Sequence, residues 1–466
     1  MQKKIVVIGG GPGGYVAAIR GAQLGAEVTL IERHKIGGTC LNYGCIPTKT
    51  LYKNAELLNT LKHIEDFGIQ TGEVAIDVEK IQSRKDTVVT SLVTGIEQLL
   101  KANGVHVIQG SASFVSEDTL KIVLDNGETQ TLTCDHIIVA TGSKPSMPEL
   151  EGIDLPGVIT SKELLEFDKV PKKLVIAGGG VIAMEFAGIF AAMGTEVDVV
   201  IRSDRFLREV DTEITKRFAP LLKKNGIKLN KNVSLSRIEQ TENGLVLVGE
   251  GKKGEVRFEA DQILMSTGRG PVMDGLNLEA AGIEFTRKGI VVDTHFKTTN
   301  PNVYAIGDVN GRIMLAHAAS HQGIAAVETI MGLSHQGNHD VVPNCIFVFP
   351  EIAGVGLTED QAADQGIEIK KSKFLFAANG KALSIGEPDG FIKVISDLED
   401  TILGVHIMGP HASDLIHEGA LAITQKLKVD AIANTIHAHP TLGEAFAEAT
   451  LGLKNEAIHM VPARVK

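Results

Sequence analysis

No apolar run in this 466-residue chain reaches the ~18 residues needed to cross a bilayer, so no membrane span is expected. There is no basic run either, and the formal net charge is −11, which argues against nucleic acid and anionic membrane surfaces as partners. Met1 to Ile8 is a short charged lead into a strand and lacks the layout of a signal peptide. A cytoplasmic, reducing compartment is therefore expected, where a disulfide is catalytic more often than structural. Cysteine is scarce, with four residues in all. Cys134 and Cys345 each stand alone in an apolar run and read as core thiols.

What the chain has in excess is glycine, 50 residues gathered in short fingerprints. The length is too great for one core, and about three domains are expected. Lys4 to Ile8 suits a buried parallel strand. Gly9, Gly11, Pro12, Gly13 and Gly14 follow at once, then a helix predicted over Val16 to Leu24 and a strand over Glu27 to Glu32, with Arg33 behind it. A lone glycine fingerprint says little. With strand, helix and acid at these distances it describes a dinucleotide fold. The glycines let the backbone approach a pyrophosphate at a helix N-terminus, and Glu32 can accept hydrogen bonds from an adenosine ribose.

Gly38 and Thr39 then lead into Cys40, and Cys45 follows five residues later, with Pro47 and Lys49 behind it. On a straight helix that spacing sets the Cα atoms roughly 7.5 Å apart along the axis. A disulfide needs less than about 7 Å, so a redox pair here requires a bend, and Gly44 is placed to allow one. Helices are predicted over 50–98 and strands over 105–138, with a hairpin turn at Asp125-Asn126-Gly127. A further strand runs into Ala140-Thr141-Gly142, and Pro145 and Pro148 mark a boundary.

Beyond that boundary the plan repeats. A strand over Lys173 to Ala177 leads into Gly178, Gly180, Val181, Ile182 and Ala183, a helix carrying Glu185 follows, and Glu196 to Ile201 forms the next strand. Two such folds imply two different dinucleotides. The second strand of this repeat lacks the terminal acid: Ile201 stands near its place, followed by Arg202 and, further on, Arg208. A carboxylate would repel a ribose 2′-phosphate, whereas guanidinium groups grip it bidentately. NADP is therefore expected over NAD. A strand ending at Gly268 echoes the earlier one ending at Gly142.

Gly307-Asp308 closes another strand-to-turn, where Asp308 could accept a sugar-chain hydroxyl; Leu315, Ala316 and His317 open a helix whose backbone N–H groups could meet a flavin ring oxygen. In the last segment His439-Pro440-Thr441 precedes Glu444. A histidine five residues from a carboxylate, with a turn between, suits an oriented general base for thiol exchange. His437 competes for that role; His439 is preferred because its position before proline restrains it.

Together these motifs resemble those of the class I pyridine nucleotide–disulfide oxidoreductases, over nearly the whole chain and most closely the members that oxidise lipoyl groups. The resemblance implies an α/β fold with two Rossmann-like domains, for FAD and for NAD(P), plus an α+β C-terminal dimerisation domain. It divides the chain into an FAD-binding domain at 1–146 and 273–342, an NAD(P)-binding domain at 147–272 and an interface domain at 343–466. It also implies a homodimer in which His439 and Glu444 serve the partner's cysteines. Cys45 would lie nearest the flavin, Cys40 would be the interchange thiol, Lys49 would pair with Glu185, and the bond before Pro440 would be cis. The lipoyl group would arrive on a separate carrier, a 2-oxoacid dehydrogenase core or a glycine-cleavage component, and no metal is expected. Arg202, Arg208 and Ala183 resemble instead the coenzyme site of glutathione-type reductases, so an NADPH-dependent reductase of small disulfides is the alternative. The end of the chain, 461–466, carries none of the extra cysteines of mercuric or large thioredoxin reductases.

Overall fold

Two parallel sheets built on the same plan carry the two glycine fingerprints, in a computed structural model that describes residues 2–334, 337 and 339–461. The tail 462–466, read above as free of extra cysteines, lies outside the described residues.

In the first sheet β1 (Lys4–Ile8) pairs in parallel with β2 (Glu27–Glu32), and α1 (Pro12–Gln23) joins them. The helix begins at Pro12 rather than at the expected Val16. Proline's fixed φ and missing N–H suit the first helical position, so the glycines that follow are already helical. The other flank of β1 pairs with His136–Val139, which pairs in turn with Val303–Ala305. That last strand returns to this sheet only after the whole second fold has intervened. Beyond β2 lies His106–Phe114 in parallel, then Thr119–Leu124 and Thr129–Thr133 as an antiparallel extension turning at Asn126-Gly127.

The second sheet runs Ile227–Lys231, Glu196–Ile201, Lys173–Ala177, Gln262–Met265 and Val158–Ile159, all parallel. An antiparallel three-stranded sheet over residues 234–260 flanks it. The chain leaves the first fold through Ser143–Pro145 and comes back through Arg269–Pro271, and these two passages pair antiparallel. The C-terminal segment forms a five-stranded antiparallel sheet over residues 344–408 with helices on it.

The three parts share one core. Leu51, Tyr52 and Ala55 of the first region pack in a single buried cluster with Met184, Phe186 and Phe190 of the second fold and Ile346, Val348 and Phe391 of the third. Helix Val181–Ala192 is apolar almost all round because neighbours cover it on every side, and Glu185 is the charged residue buried within it. Phe190 stacks edge-on against Phe167 at 5.3 Å. Phe190→Ala is expected to cost about 3–5 kcal/mol, seen as a lower urea unfolding midpoint.

Candidate active site

Helix α2 (Gly38–Tyr43) and helix α3 (Cys45–Lys62) meet at Gly44, where the backbone leaves helical geometry at φ −146° and ψ −106°. This is the bend that the cysteine spacing demands. The segment hangs directly on the first fingerprint: Gly37 N–H donates to the Gly10 carbonyl at 2.8 Å. A Cβ on Gly38 would stand 2.7 Å from Gly11 Cα, so only glycine fits that approach. Asn42, buried, ties the turn by donating to the carbonyls of Ile36 and Gly38 at 3.0 Å each.

Cys40 and Cys45 are free thiols, both partly buried, and joined by a hydrogen bond. Donation to Cys45 holds the Cys40 proton in place and pushes that thiol up, and burial adds to the effect. Cys45 moves the other way, down to about 7: the bond from Cys40 favours its thiolate, burial opposes, and the Lys49 ammonium favours it again. Lys49 is one turn along α3, and its Nζ lies 2.9 Å from both carboxylate oxygens of Glu185 and 4.7 Å above the Phe347 ring centroid. Phe347 N–H donates to the same carboxylate at 3.1 Å. The structure thus brings together Cys40, Cys45, Lys49 and Glu185, and adds Phe347, which no sequence motif marks.

The two fingerprints correspond position by position in their backbone hydrogen bonds. Gly9 N–H donates to Ile31 O at 2.8 Å, and Gly178 N–H donates to Val200 O at 3.0 Å. The next residues, Glu32 and Ile201, are therefore equivalent. Glu32 accepts from Gly10 N–H at 2.6 Å and from His34 N–H at 2.7 Å. Ile201 instead packs its methyl over Gly179, the counterpart of Gly10. The following loop bonds back through Leu207 N–H to Gly179 O at 2.7 Å, just as Gly37 does to Gly10. Arg202 and Arg208 are both exposed and carry no hydrogen bond or ion pair among the described residues. Ala183 takes the place of the third glycine and is fully buried.

The first fingerprint fits a pyrophosphate. Helix α1 has no side-chain cap, so the N–H groups of its first turn are left for an anion. Gly14 lies so close to Gly9 O that a Cβ would come within 1.8 Å. Around it, Thr141 donates to Val272 O at 2.6 Å, with Ala140 and Gly142 on either side, and Gly307 N–H is held by Gln322 at 2.8 Å. Asp308 accepts from Ser143 Oγ at 2.5 Å, and Arg269 in turn donates to Ser143 Oγ at 2.8 Å and to its carbonyl at 2.7 Å. Ser143, Arg269 and Gln322 were not among the predicted site residues; Ser143 and Arg269 meet because the two passages between the folds run side by side, and Gln322 reaches Gly307 from helix Ala316–Ile330. Leu315 caps helix Ala316–Ile330, and the His317 ring bonds to Pro343 O at 2.8 Å, a helix-start contact. Arg33 is exposed just past β2, and Thr39 is exposed within α2.

In the C-terminal segment the bond between His439 and Pro440 is cis. Glu444 opens helix Glu444–Leu451; one oxygen meets His439 Nδ1 at 2.9 Å, the other accepts from Thr441 N–H at 2.8 Å. Burial raises the Glu444 carboxyl, but the Thr441 amide and the His439 ring together bring it below the usual range. The His439 side chain is 78% exposed. His437 differs: Nδ1 bonds Thr435 O and Nε2 bonds Glu418, each at 3.0 Å, so both its ring nitrogens are engaged. Geometry therefore favours His439, whose second nitrogen is open to another molecule.

The family described as pyridine nucleotide-disulphide oxidoreductase matches residues 3–323, and its dimerisation domain matches residues 342–450. A dihydrolipoyl dehydrogenase of Bacillus subtilis (strain 168) is 40% identical, the match covering 98% of this chain and 99% of the relative. The mitochondrial dihydrolipoyl dehydrogenase of Pisum sativum is also 40% identical, over 98% and 93% of the two chains. Among solved structures, LpdA from Mycobacterium tuberculosis superposes with a TM-score of 0.90 at 27% identity, covering 97% of this chain and 99% of that one. The HOCl-induced flavoprotein disulfide reductase RclA from Escherichia coli gives a TM-score of 0.85 at 28% identity, covering 96% and 99%.

The Cys45 thiolate should dominate above about pH 7 and be lost as the pH falls through that value. Lys49→Met removes a favourable charge, so the midpoint, read from thiolate ultraviolet absorbance of the reduced protein, is expected to rise by about one unit.

Proposed function

This chain belongs to the pyridine nucleotide-disulphide oxidoreductase family, and from that premise we propose that it oxidises protein-bound dihydrolipoyl groups with FAD and NADP⁺. The observation that carries the reading is the Cys40–Cys45 pair, brought together across the bend at Gly44 with the Lys49–Glu185 ion pair one turn along the helix.

In the proposed cycle the protein works as a homodimer, and His439 of one subunit faces the cysteine pair of the other. Its open Nε2 takes a proton from a substrate thiol, while Glu444 fixes the ring through Nδ1 and balances the imidazolium charge. The substrate thiolate attacks Cys40 Sγ of the oxidised pair, and the Cys40–Cys45 bond breaks with Cys45 leaving as thiolate. The second substrate thiol then attacks the substrate sulfur of the mixed disulfide, its proton passing to Cys40 as that residue leaves as a thiol, and the lipoyl disulfide closes. Two electrons now reside on the cysteine pair. Lys49, held by Glu185, stabilises the Cys45 thiolate during this exchange. When bound, FAD supplies two-electron transfer between that thiolate and a nicotinamide, chemistry that no side chain offers. Gly9, Gly11, Pro12, Gly13, Gly14 and Glu32 would hold its adenosine and pyrophosphate, and Asp308 its sugar chain.

Gly178, Gly180 and the N-terminus of helix Val181–Ala192 would hold the nicotinamide coenzyme. Ile201 leaves no carboxylate to repel a 2′-phosphate, and Arg202 and Arg208 stand free to grip one, which supports NADP(H). Dihydrolipoyl groups would arrive on a carrier protein of a 2-oxoacid dehydrogenase or glycine-cleavage type. The same arginines favour a second reading, an NADPH-dependent reductase of small disulfides of the glutathione type.

Anaerobic addition of dihydrolipoamide to holoprotein is expected to give a long-wavelength charge-transfer band, and its absence would overturn the lipoyl reading. NADPH oxidation driven by glutathione disulfide, with none driven by lipoamide, would favour the second reading. His439→Gln is expected to lower dihydrolipoamide turnover by about 10²–10⁴-fold. Wild type should have the lower KM for NADP(H), and Arg202→Glu should reverse the order; a tenfold preference for NAD(H) in wild type, ~1.4 kcal/mol, would refute the phosphate reading.

A further inference from the structure

The loop carrying Arg202 and Arg208 is fixed at both ends, by different parts of the molecule. On the inner side Leu207 N–H bonds Gly179 O at 2.7 Å, and Phe206 is buried against the same glycine. On the outer side Arg205, between the two free arginines, turns away from the fingerprint. Its guanidinium donates to Val210 O within the loop and meets Asp360 of the C-terminal segment at 3.1 Å. Arg205 Nε is buried without an acceptor, so the Nη contacts alone orient the group. Thr212, the first residue of the following helix, donates its hydroxyl to Asp360 as well.

Behind this contact lies a buried charge pair. Asp211, which caps helix Thr212–Lys224, is 1% exposed and meets Lys393 Nζ at 3.0 Å; Lys393 is 2% exposed and lies on the interface sheet. Lys393 also contacts Glu359, the neighbour of Asp360 on the short helix Glu359–Asp364. Neither ion could sit there alone, because an unpaired buried charge costs several kcal/mol. The end of the loop is thus bound to the dimerisation domain, while its fingerprint belongs to the second sheet.

We propose that Asp360 is a positioning residue for the nicotinamide coenzyme: it holds Arg205 and Thr212 so that Arg202 and Arg208 are presented, unpaired, to the adenosine end. The proposal rests on the reading that the coenzyme occupies the second fingerprint. The dimerisation domain then has a task in coenzyme recognition separate from supplying His439.

The test is steady-state kinetics on holoenzyme carrying Asp360→Asn, Asp360→Glu or Thr212→Val. Because the Arg205–Asp360 pair is partly exposed, the expected effect is modest: about a threefold rise in KM for NADP(H) in D360N. D360E should recover most of it, T212V should move the same way, and kcat and the KM for dihydrolipoamide should stay within about twofold of wild type. An unchanged coenzyme KM in D360N, or an equal rise in both KM values together with a lower thermal midpoint, would overturn the proposal and leave a purely structural contact. The parent reading is checked separately by titrating wild type with NADPH: no binding there defeats the reading itself, whereas binding in wild type with unaltered D360N defeats only the role of Asp360.

Discussion

The ion pair between Lys49 and Glu185 is the interaction on which the rest of the site depends. Lys49 stands one turn beyond Cys45 in the first fold, Glu185 lies on the second fold's fingerprint helix, and the Phe347 amide that completes the carboxylate belongs to the third part of the chain. Three regions are thus pinned at one buried carboxylate, only 5% exposed. A carboxylate so placed is costly without its cation, and removing one partner of a buried pair typically costs about 3–5 kcal/mol. The same ammonium adds to the hydrogen bond from Cys40 in favouring the Cys45 thiolate, so one contact bears on both the geometry and the charge of the site.

Around that pin the molecule uses one architecture twice and changes it at one side chain. Both strand–glycine–helix units close with equivalent backbone bonds, yet the residue after the closing carbonyl is Glu32 in one and Ile201 in the other. The carboxylate accepts from Gly10 N–H in its own glycine loop and from His34 N–H just past the strand; the isoleucine needs no donor and fills the space by packing. The two copies of the fold therefore differ at a single position in whether negative charge is present at the end of the second strand.

The His439–Glu444 pair is built differently. It is oriented with care but left open to solvent, with one imidazole nitrogen unused. In the proposed homodimer that open nitrogen is the one offered to the partner subunit's cysteine pair. The contrast with His437, saturated by Thr435 and Glu418, shows how a neighbouring residue of the same type can be consumed by structure.

Much of this was legible from local pattern. The strands at Lys4–Ile8, Glu27–Glu32, Lys173–Ala177 and Glu196–Ile201 are where apolar runs beside glycine turns put them, because buried parallel strands have a strong, short-range signature. The bend at Gly44 follows from spacing alone, as does the missing acid at Ile201. The start of α1 was misplaced because glycines read as a loop, whereas here the helix N-terminus is made of them. Ser143 with Arg269, Phe347 with Glu185, and Asp360 with Arg205 could not be read, because each joins residues more than a hundred positions apart and no local propensity encodes such a meeting. Local sequence fixes which chemical groups are present and where most strands and turns fall. Which of those groups meet is settled only by long-range packing, and burial is what makes a carboxylate such as Glu185 depend on the lysine that packing brings to it.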